Sequence, residues 1–327
     1  MAQQTEYNTI NNRLDKLDIL TLCDPAETPV FSSTSKYRKV RSDIFEYHAD
    51  NLDGIKLSTI ADGRDVESFD NKAKNRTVIQ QRTQIQNRTW KVSRGQEKDS
   101  DPAGVKDEVG RARMIASIEL KRDIEAAICS DQEAEWVDEK TGNHMRALGK
   151  FLDETNTNIP ANARMPAASK ATTDNLTESA FRAVLQSAYE GTGNANAKYR
   201  LFAGPALQNK ITGFSRTSSE ANNILQAQMA AGSREITCSV KIYNSDWGVV
   251  AVVPDLFLGY TDGASISDAT RARGYLVDMQ HLALSLNQDI WNEDYPDLGG
   301  GKRGAVWVKY TLINKCPKAM AKFVKAS

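Results

Sequence analysis

Several residue groups in this chain are of types that do chemistry elsewhere, yet none has the spacing that chemistry needs. Gly299-Gly300-Gly301-Lys302 has the glycines and lysine of a phosphate loop. It lacks the spaced first glycine, and Arg303 stands where a Ser or Thr would reach a metal ion, so a surface loop is expected. His48, His144 and His281 lie far apart, without metal-ligand spacing. Cys23, Cys129, Cys238 and Cys316 show no paired spacing, which predicts free thiols in a reducing compartment rather than a zinc site. Neither a Gly-x-Ser-x-Gly elbow nor a Cys-x-x-Cys pair occurs, and nothing singles out a catalytic pair among the 42 acidic residues. Trp247 and Trp291 are expected in the core. The expectation is no catalytic, cofactor-binding or metal-ligating residue.

The informative stretch is a ribbon, Asn75 to Arg94. Strand side chains alternate between faces, which stacks Thr77, Ile79, Thr83, Ile85 and Thr89 on one side and Arg76, Arg82, Arg88 and Trp90 on the other. The β-branched residues suit a pleated surface. So polar a ribbon builds no core of its own and is expected to lie on another copy of the chain. Arg41 to Asp50 reads as its partner strand, with Ile44, Glu46, His48 and Asp50 on one face and Phe45 and Tyr47 on the other. Asn51 to Lys74 reads as a polar tip with Asp53-Gly54 and Asp62-Gly63 as turn signals. Arg76, Arg82, Arg88, Trp90, Glu46 and Asp50 are thus the candidate inter-subunit contacts. The basic cluster Arg82, Arg88, Lys91 and Arg94 also has the composition of a nucleic-acid stripe, but the facing acids favour pairing between subunits.

Other elements must position this hairpin. Residues 1–36 form a polar arm with a short amphipathic patch (Leu14, Leu17, Leu20), kinked by Pro25 and Pro29. A helix is expected over residues 104–130, capped by Asp101 with Pro102 behind it. Its stripe is Val105, Val109, Ala112, Ala116, Leu120 and Ala127, with Met114 and Ile118 facing a second covered surface. At about 1.5 Å per residue it runs close to ~40 Å. Thr177 caps a further helix, with Phe181, Val184, Leu185 and Ala188 inward and Gly191 at its end. Tyr199 to Ala203 is a strand, and Gly204-Pro205 opens a helix burying Leu207, Ile211 and Phe214. Two strands lie within residues 236–258, Arg273 to Leu286 is expected to be helical, and Val306 to Leu312 is a strand. The mixture reads as α+β, a mixed α/β chain.

Bulk numbers fit an ordinary soluble composition and a chain long enough for a substantial core and two domains. The chain has 327 residues, 40% hydrophobic and 26% charged, with 42 basic and 42 acidic side chains and zero formal net charge. That balance argues against a dedicated nucleic-acid binder and leaves little long-range self-repulsion. The first dozen residues lack the apolar core of a secretory signal. The longest apolar run, Val249 to Val253, is too short for a bilayer, so no membrane partner is expected.

Polar arm, extended hairpin, long helix and compact α/β unit, in that order, resemble the major capsid (head) protein of tailed bacteriophages with the Hong Kong-type capsid fold. Four stretches carry the likeness: Asp24-Pro25-Ala26-Glu27-Thr28-Pro29-Val30-Phe31, Glu119-Leu120-Lys121-Arg122-Asp123-Ile124-Glu125, Val240-Lys241-Ile242-Tyr243-Asn244-Ser245-Asp246-Trp247-Gly248 continuing into Val252-Val253-Pro254, and Lys309-Tyr310-Thr311-Leu312-Ile313-Asn314. The resemblance implies an N-arm (1–36), an E-loop hairpin (37–100) and a P-domain (101–160) with a spine helix over 104–130, completed by a strand at about 303–315. It also implies an A-domain (161–302) to which residues 316–327 return.

The implied function is self-assembly into pentamers and hexamers of an icosahedral shell around phage double-stranded DNA. The implied partners are other copies of the chain, a portal protein, a separate scaffolding protein, a decoration protein, and DNA at the inner face. The implied place is the virion capsid, assembled in the host bacterial cytoplasm, with no enzymatic role. Two departures from relatives are expected: the scaffolding segment that some relatives carry fused before the arm is either encoded separately or removed here, and nothing marks Lys56, Lys72 or Lys74 as a cross-linking lysine. Two other readings remain at this point. One is a cellular nanocompartment shell of the same fold; the other is a cytoplasmic α/β enzyme with a swapped hairpin arm.

Overall fold

The computed structural model describes residues 22, 24–65, 67–99, 107–194, 197–217, 241–260 and 266–326. The amphipathic patch at Leu14 to Leu20, Cys23, Cys238, Val105 and the Asp101-Pro102 cap lie outside the described residues. In chain order the elements begin with α1 (Pro29–Ser33), β1 (Ser35–Tyr37), β2 (Ile44–Ala49), β3 (Thr77–Arg82), β4 (Gln84–Val92), α2 (Arg94–Asp99) and α3 (Glu108–Ile128). Next come β5 (Glu135–Trp136), β6 (Asn143–His144), α4 (Leu148–Phe151), β7 (Lys170–Thr172), α5 (Glu178–Thr192), β8 (Lys198–Ala203) and α6 (Pro205–Thr217). The remainder is β9 (Ile242–Ser245), β10 (Gly248–Pro254), α7 (Asp268–Ala272), β11 (Gly274–Asp278), β12 (Leu282–Tyr295), β13 (Lys302–Asn314) and β14 (Ala321–Val324). No described helix is long and apolar enough to cross a membrane.

A four-stranded sheet in the order β1-β12-β13-β4 packs against α3. Among the described residues α3 starts at Glu108, where the Asp107 carboxylate accepts the Gly110 N–H and satisfies one of the orphan amides of the first turn. Val109, Ala116, Leu120 and Ala127 of the expected stripe are buried, joined by Ile124 and Ile128. Met114, expected under a second layer, is exposed. The long strands β12 and β13 pair from Leu282↔Asn314 to Tyr295↔Arg303, interrupted by irregularities near Gln288.

A six-stranded sheet in the order β7-β14-β11-β8-β10-β9 carries α5 and α6. Phe181, Val184 and Leu185 of α5 and Leu207 and Ile211 of α6 share a core with Leu201, Val250, Leu276 and Phe323. Thr177 caps α5 by accepting the Ala180 N–H. The helix does not stop at Gly191 as expected. It runs to Thr192, and Gly193 takes the left-handed conformation (φ 67°) that glycine adopts without steric cost. Gly191 is needed for a different reason, because a β-carbon there would lie 2.4 Å from the Lys318 carbonyl oxygen.

The expected helix over Arg273 to Leu286 is absent. The segment forms β11 and the start of β12, with a turn at Asp278–His281. Every residue of β11 is buried, so its sequence shows no two-residue alternation and imitates a buried helical run. β12, inside the stretch read from sequence as the α/β unit, hydrogen-bonds into the four-stranded sheet.

The ribbon divides at Thr83. β3 pairs with β2 from Ile44↔Arg82 to Ala49↔Thr77, whereas β4 pairs with β13 from Lys302↔Val92 to Tyr310↔Gln84. Ile79, Gln81 and Thr83 are buried, then the phase inverts and Gln84, Trp90 and Val92 are buried instead. The uniform odd–even assignment therefore holds only to Thr83. Two consecutive buried positions, Thr83 and Gln84, cannot share a face of one regular strand. Thr83 bridges the break by donating its N–H to the Asp43 carbonyl at 2.9 Å. Part of the polar ribbon also finds burial inside its own subunit. Gln81 donates to the Arg146 and Leu312 carbonyls at 3.0 and 2.9 Å, and Gln84 accepts from Gln132 at 2.6 Å. Satisfied in this way, buried amides avoid the desolvation cost of an unpaired polar group.

Candidate assembly surface

The six candidate contact residues do not form one cluster. Arg76 and Asp50 face each other across the β2–β3 hairpin at 3.7 Å, both about half exposed. Glu46 lies on the exposed face of β2 and accepts from Gln80 at 3.4 Å. Arg82 donates to the Asn143 side chain at 2.8 Å. Arg88 makes a two-pronged contact with Asp123 of α3, at 2.5 and 2.7 Å. Trp90 is buried at 6% exposure, donates to Asn292 at 2.9 Å, and carries the Arg113 guanidinium 5.0 Å above its ring. Arg113 in turn reaches Asp294 at 2.6 Å, which closes a ring of contacts between β4, α3 and β12. Arg88 and Trp90 are thus engaged within the subunit, while Glu46, Asp50 and Arg76 present an open hairpin face.

The tip is not the uniformly polar segment its turn residues suggest. Leu52, Ile55, Leu57, Ile60 and Phe69 stand in solvent, 99, 94, 92, 70 and 88% exposed. Such a group departs from the scattered single apolar residues of an ordinary surface. The base of the tip is strapped by charge. Asp53 accepts from Asn75 at 2.7 Å and pairs with Lys72 at 3.0 Å and Lys74 at 3.4 Å, while Lys56 meets Asp70 at 2.8 Å. The Asn75 and Lys72 bonds, with help from Lys74, hold the Asp53 carboxyl well below the usual carboxylate range. The signal was present in the sequence: four large apolar residues between 52 and 60 with no helical or strand periodicity to bury them.

An open groove of about 1200 Å³ runs beneath β4, between α3 and the 139–144 turn. Ile85, Phe257, Tyr260 and Trp307 supply its apolar walls, and Glu119 and Asp123 its acidic rim.

Sequence reasoning missed a buried cluster beside the arm. Glu125 accepts the N–H groups of Val30 and Phe31, each at 2.7 Å, so α1 is fastened to α3. Cys129, one turn on, and Asp255, after β10, place their ligand-type atoms within 4.8 Å of Glu125 and of one another. These residue types can hold a cation. Both Glu125 oxygens and one Asp255 oxygen already accept backbone N–H bonds, so hydrogen bonding is the role we assign. Burial, then the nearby Asp255, push Glu125 up to about 8 despite those bonds. Burial raises Asp255 to about 6.

An α+β chain with two large sheets, a two-stranded hairpin, a long helix and an arm clamped to that helix is the architecture of tailed-phage capsid proteins. A cyanophage A-1(L) capsid subunit matches with a TM-score of 0.57 at 13% identity, over 98% of this chain and 99% of the other. The capsid of cyanophage P-SCSP1u gives 0.57 at 9% identity over 98% and 92%. The Mycobacterium phage Cain structure gives 0.56 at 11% identity over 99% of both chains. The fold is therefore the Hong Kong-type capsid fold. No curated protein matches the chain. The family described as SU10 major capsid protein matches residues 2–327, and the chain belongs to that family. It is a structural major capsid protein.

Proposed function

We propose that this chain assembles through its hairpin into pentamers and hexamers that close an icosahedral head around phage double-stranded DNA, with no enzymatic role of its own. The exposed apolar tip carries this reading. Five large hydrophobic side chains on a charge-strapped arm gain burial only against another surface, and the abundant surface is a sister copy. The groove under β4 offers such a surface, with Ile85, Tyr260 and Trp307 available to an incoming tip. Glu46, Asp50 and Arg76 on the open hairpin face then set register between neighbours.

The parts divide as N-arm 1–36, E-loop 37–100, P-domain with α3 and the 303–315 strand, and A-domain built on the six-stranded sheet. The strand β12 belongs with the P-domain by its pairing. Portal, scaffolding and decoration proteins are the further partners, with DNA at the inner face and assembly in the host bacterial cytoplasm. Electron microscopy of purified protein, with and without a tip carrying Leu52→Asp, Ile55→Asp and Leu57→Asp, tests the proposal. Closed shells from the wild type and dispersed subunits from the variant are the expected pair of results. Unaltered shells from the variant would remove the tip from assembly.

A further inference from the structure

Where the arm meets α3, three ionisable side chains are enclosed together. Glu125, Cys129 and Asp255 are all buried, and Val30 of the arm closes over them. Glu125 holds α1 by two N–H bonds at 2.7 Å. Asp255 accepts the Phe257 N–H at 2.9 Å and faces the Cys129 sulfur at 3.8 Å.

The surrounding charges come from several elements. The arm contributes only backbone amides and the apolar side chains of Val30 and Phe31. At the start of β11, Arg273 is turned to Asp131 at 2.5 Å, and Lys322 of β14 joins the same aspartate at 2.8 Å. Arg122 of α3 lies over the Phe257 ring at 5.6 Å, and the Tyr275 hydroxyl donates to the Cys129 carbonyl at 3.0 Å. Among the described residues neither Glu125 nor Asp255 is in an ion pair.

We propose that Glu125, backed by Asp255 and Cys129, is a proton-operated latch that holds Pro29–Ser33 on α3 and lets this arm segment go when the cluster ionises. Two carboxyls and a thiol enclosed without a paired cation tolerate at most one negative charge well, because burial and mutual repulsion both oppose the second. Releasing α1 opens Glu125 to water and relieves the repulsion, while Asp255 keeps its backbone bond. The folded-state values of both acids lie above their ordinary ones. Their contribution to arm docking is therefore fully present in acid and is lost as the pH rises through about 6 and then about 8. This inference stands independently of shell formation.

Hydrogen exchange of the amides of residues 30–34 in the full-length protein, corrected for the intrinsic rate and referenced to β13 amides, tests the latch. In the wild type, arm opening should rise about tenfold per pH unit between about pH 6 and 8 and then level off, while β13 stays protected. Asp255→Asn keeps the bond to Phe257 but removes the opposing charge, so opening should level off at lower pH and reach a smaller extent. Glu125→Gln should give weak arm protection without the rise in opening toward pH 8, leaving only the Asp255 step near 6. Wild-type protection that does not change with pH overturns the proposal, as does a wild-type curve in Asp255→Asn. Should Glu125→Gln fail to fold, the Asp255→Asn curve decides alone.

Discussion

Arg88 grips Asp123 through two guanidinium nitrogens, at 2.5 and 2.7 Å, so the second half of the ribbon is tied to the helix beneath it. The fork geometry suits a carboxylate and fixes direction as well as distance.

Replacing Arg88 with glutamate turns this contact into a like-charge pair. The pair is partly exposed, so the expected loss of subunit stability is modest, about 1 kcal/mol by denaturant unfolding. Arg76→Glu on the open hairpin face, where the pair with Asp50 is longer and more exposed, should lower the subunit's midpoint less and weaken assembly. Equal effects of both substitutions on subunit unfolding would contradict this division of labour.

Trp90 contributes through burial and through its bond to Asn292. Trp90→Ala should cost about 3–5 kcal/mol in the unfolding free energy of the subunit, as large-to-small changes in a core do. Trp90→Phe keeps most of the packing and should cost clearly less. A Trp90→Ala subunit as stable as wild type would show that the ring's burial contributes nothing.

The two glycines at the end of α5 should respond differently to alanine. At Gly191 the new methyl meets a backbone carbonyl, and about 1–3 kcal/mol of overpacking is expected. At Gly193 the surroundings are open and only the left-handed backbone is penalised, about 1 kcal/mol. Thermal unfolding of the pair gives the order directly.

Asp131 bridges Arg273, the residue just before β11, and Lys322 of β14. Burial alone would raise its carboxyl, but Lys322 and Arg273 more than offset that and hold it below the usual range. A depressed folded value means stability present above the ordinary aspartate range and lost as the pH falls through the folded value. Asp131→Asn should thus be less stable than wild type at pH 7, with the gap closing in strong acid. A gap that stays constant across that range would exclude the charge as its source.

Much of the architecture was readable from local rules. Thr177 as a helix cap, two strands within residues 236–258 and the buried stripe on α3 follow from local capping, turn and burial patterns. The phase reversal at Thr83 was not readable, because it depends on which sheet each half of the ribbon joins, a long-range pairing with β2 or β13. β11 was misread for a related cause: buried on both faces, Tyr275, Leu276 and Val277 show no alternation. The Glu125 cluster was hidden by distance in sequence, since Val30, Glu125 and Asp255 meet only once the arm, the spine helix and the end of β10 are assembled. The tip's apolar residues were visible but were outweighed by its turn signals.

The short break at Thr83 also makes the hairpin a lever. β3 runs into β4 through Thr83 alone, so a load carried along β3 meets Gln84 first, then Arg88 and its grip on α3. Strain applied at the rim of the subunit thus arrives as torque on its longest rod.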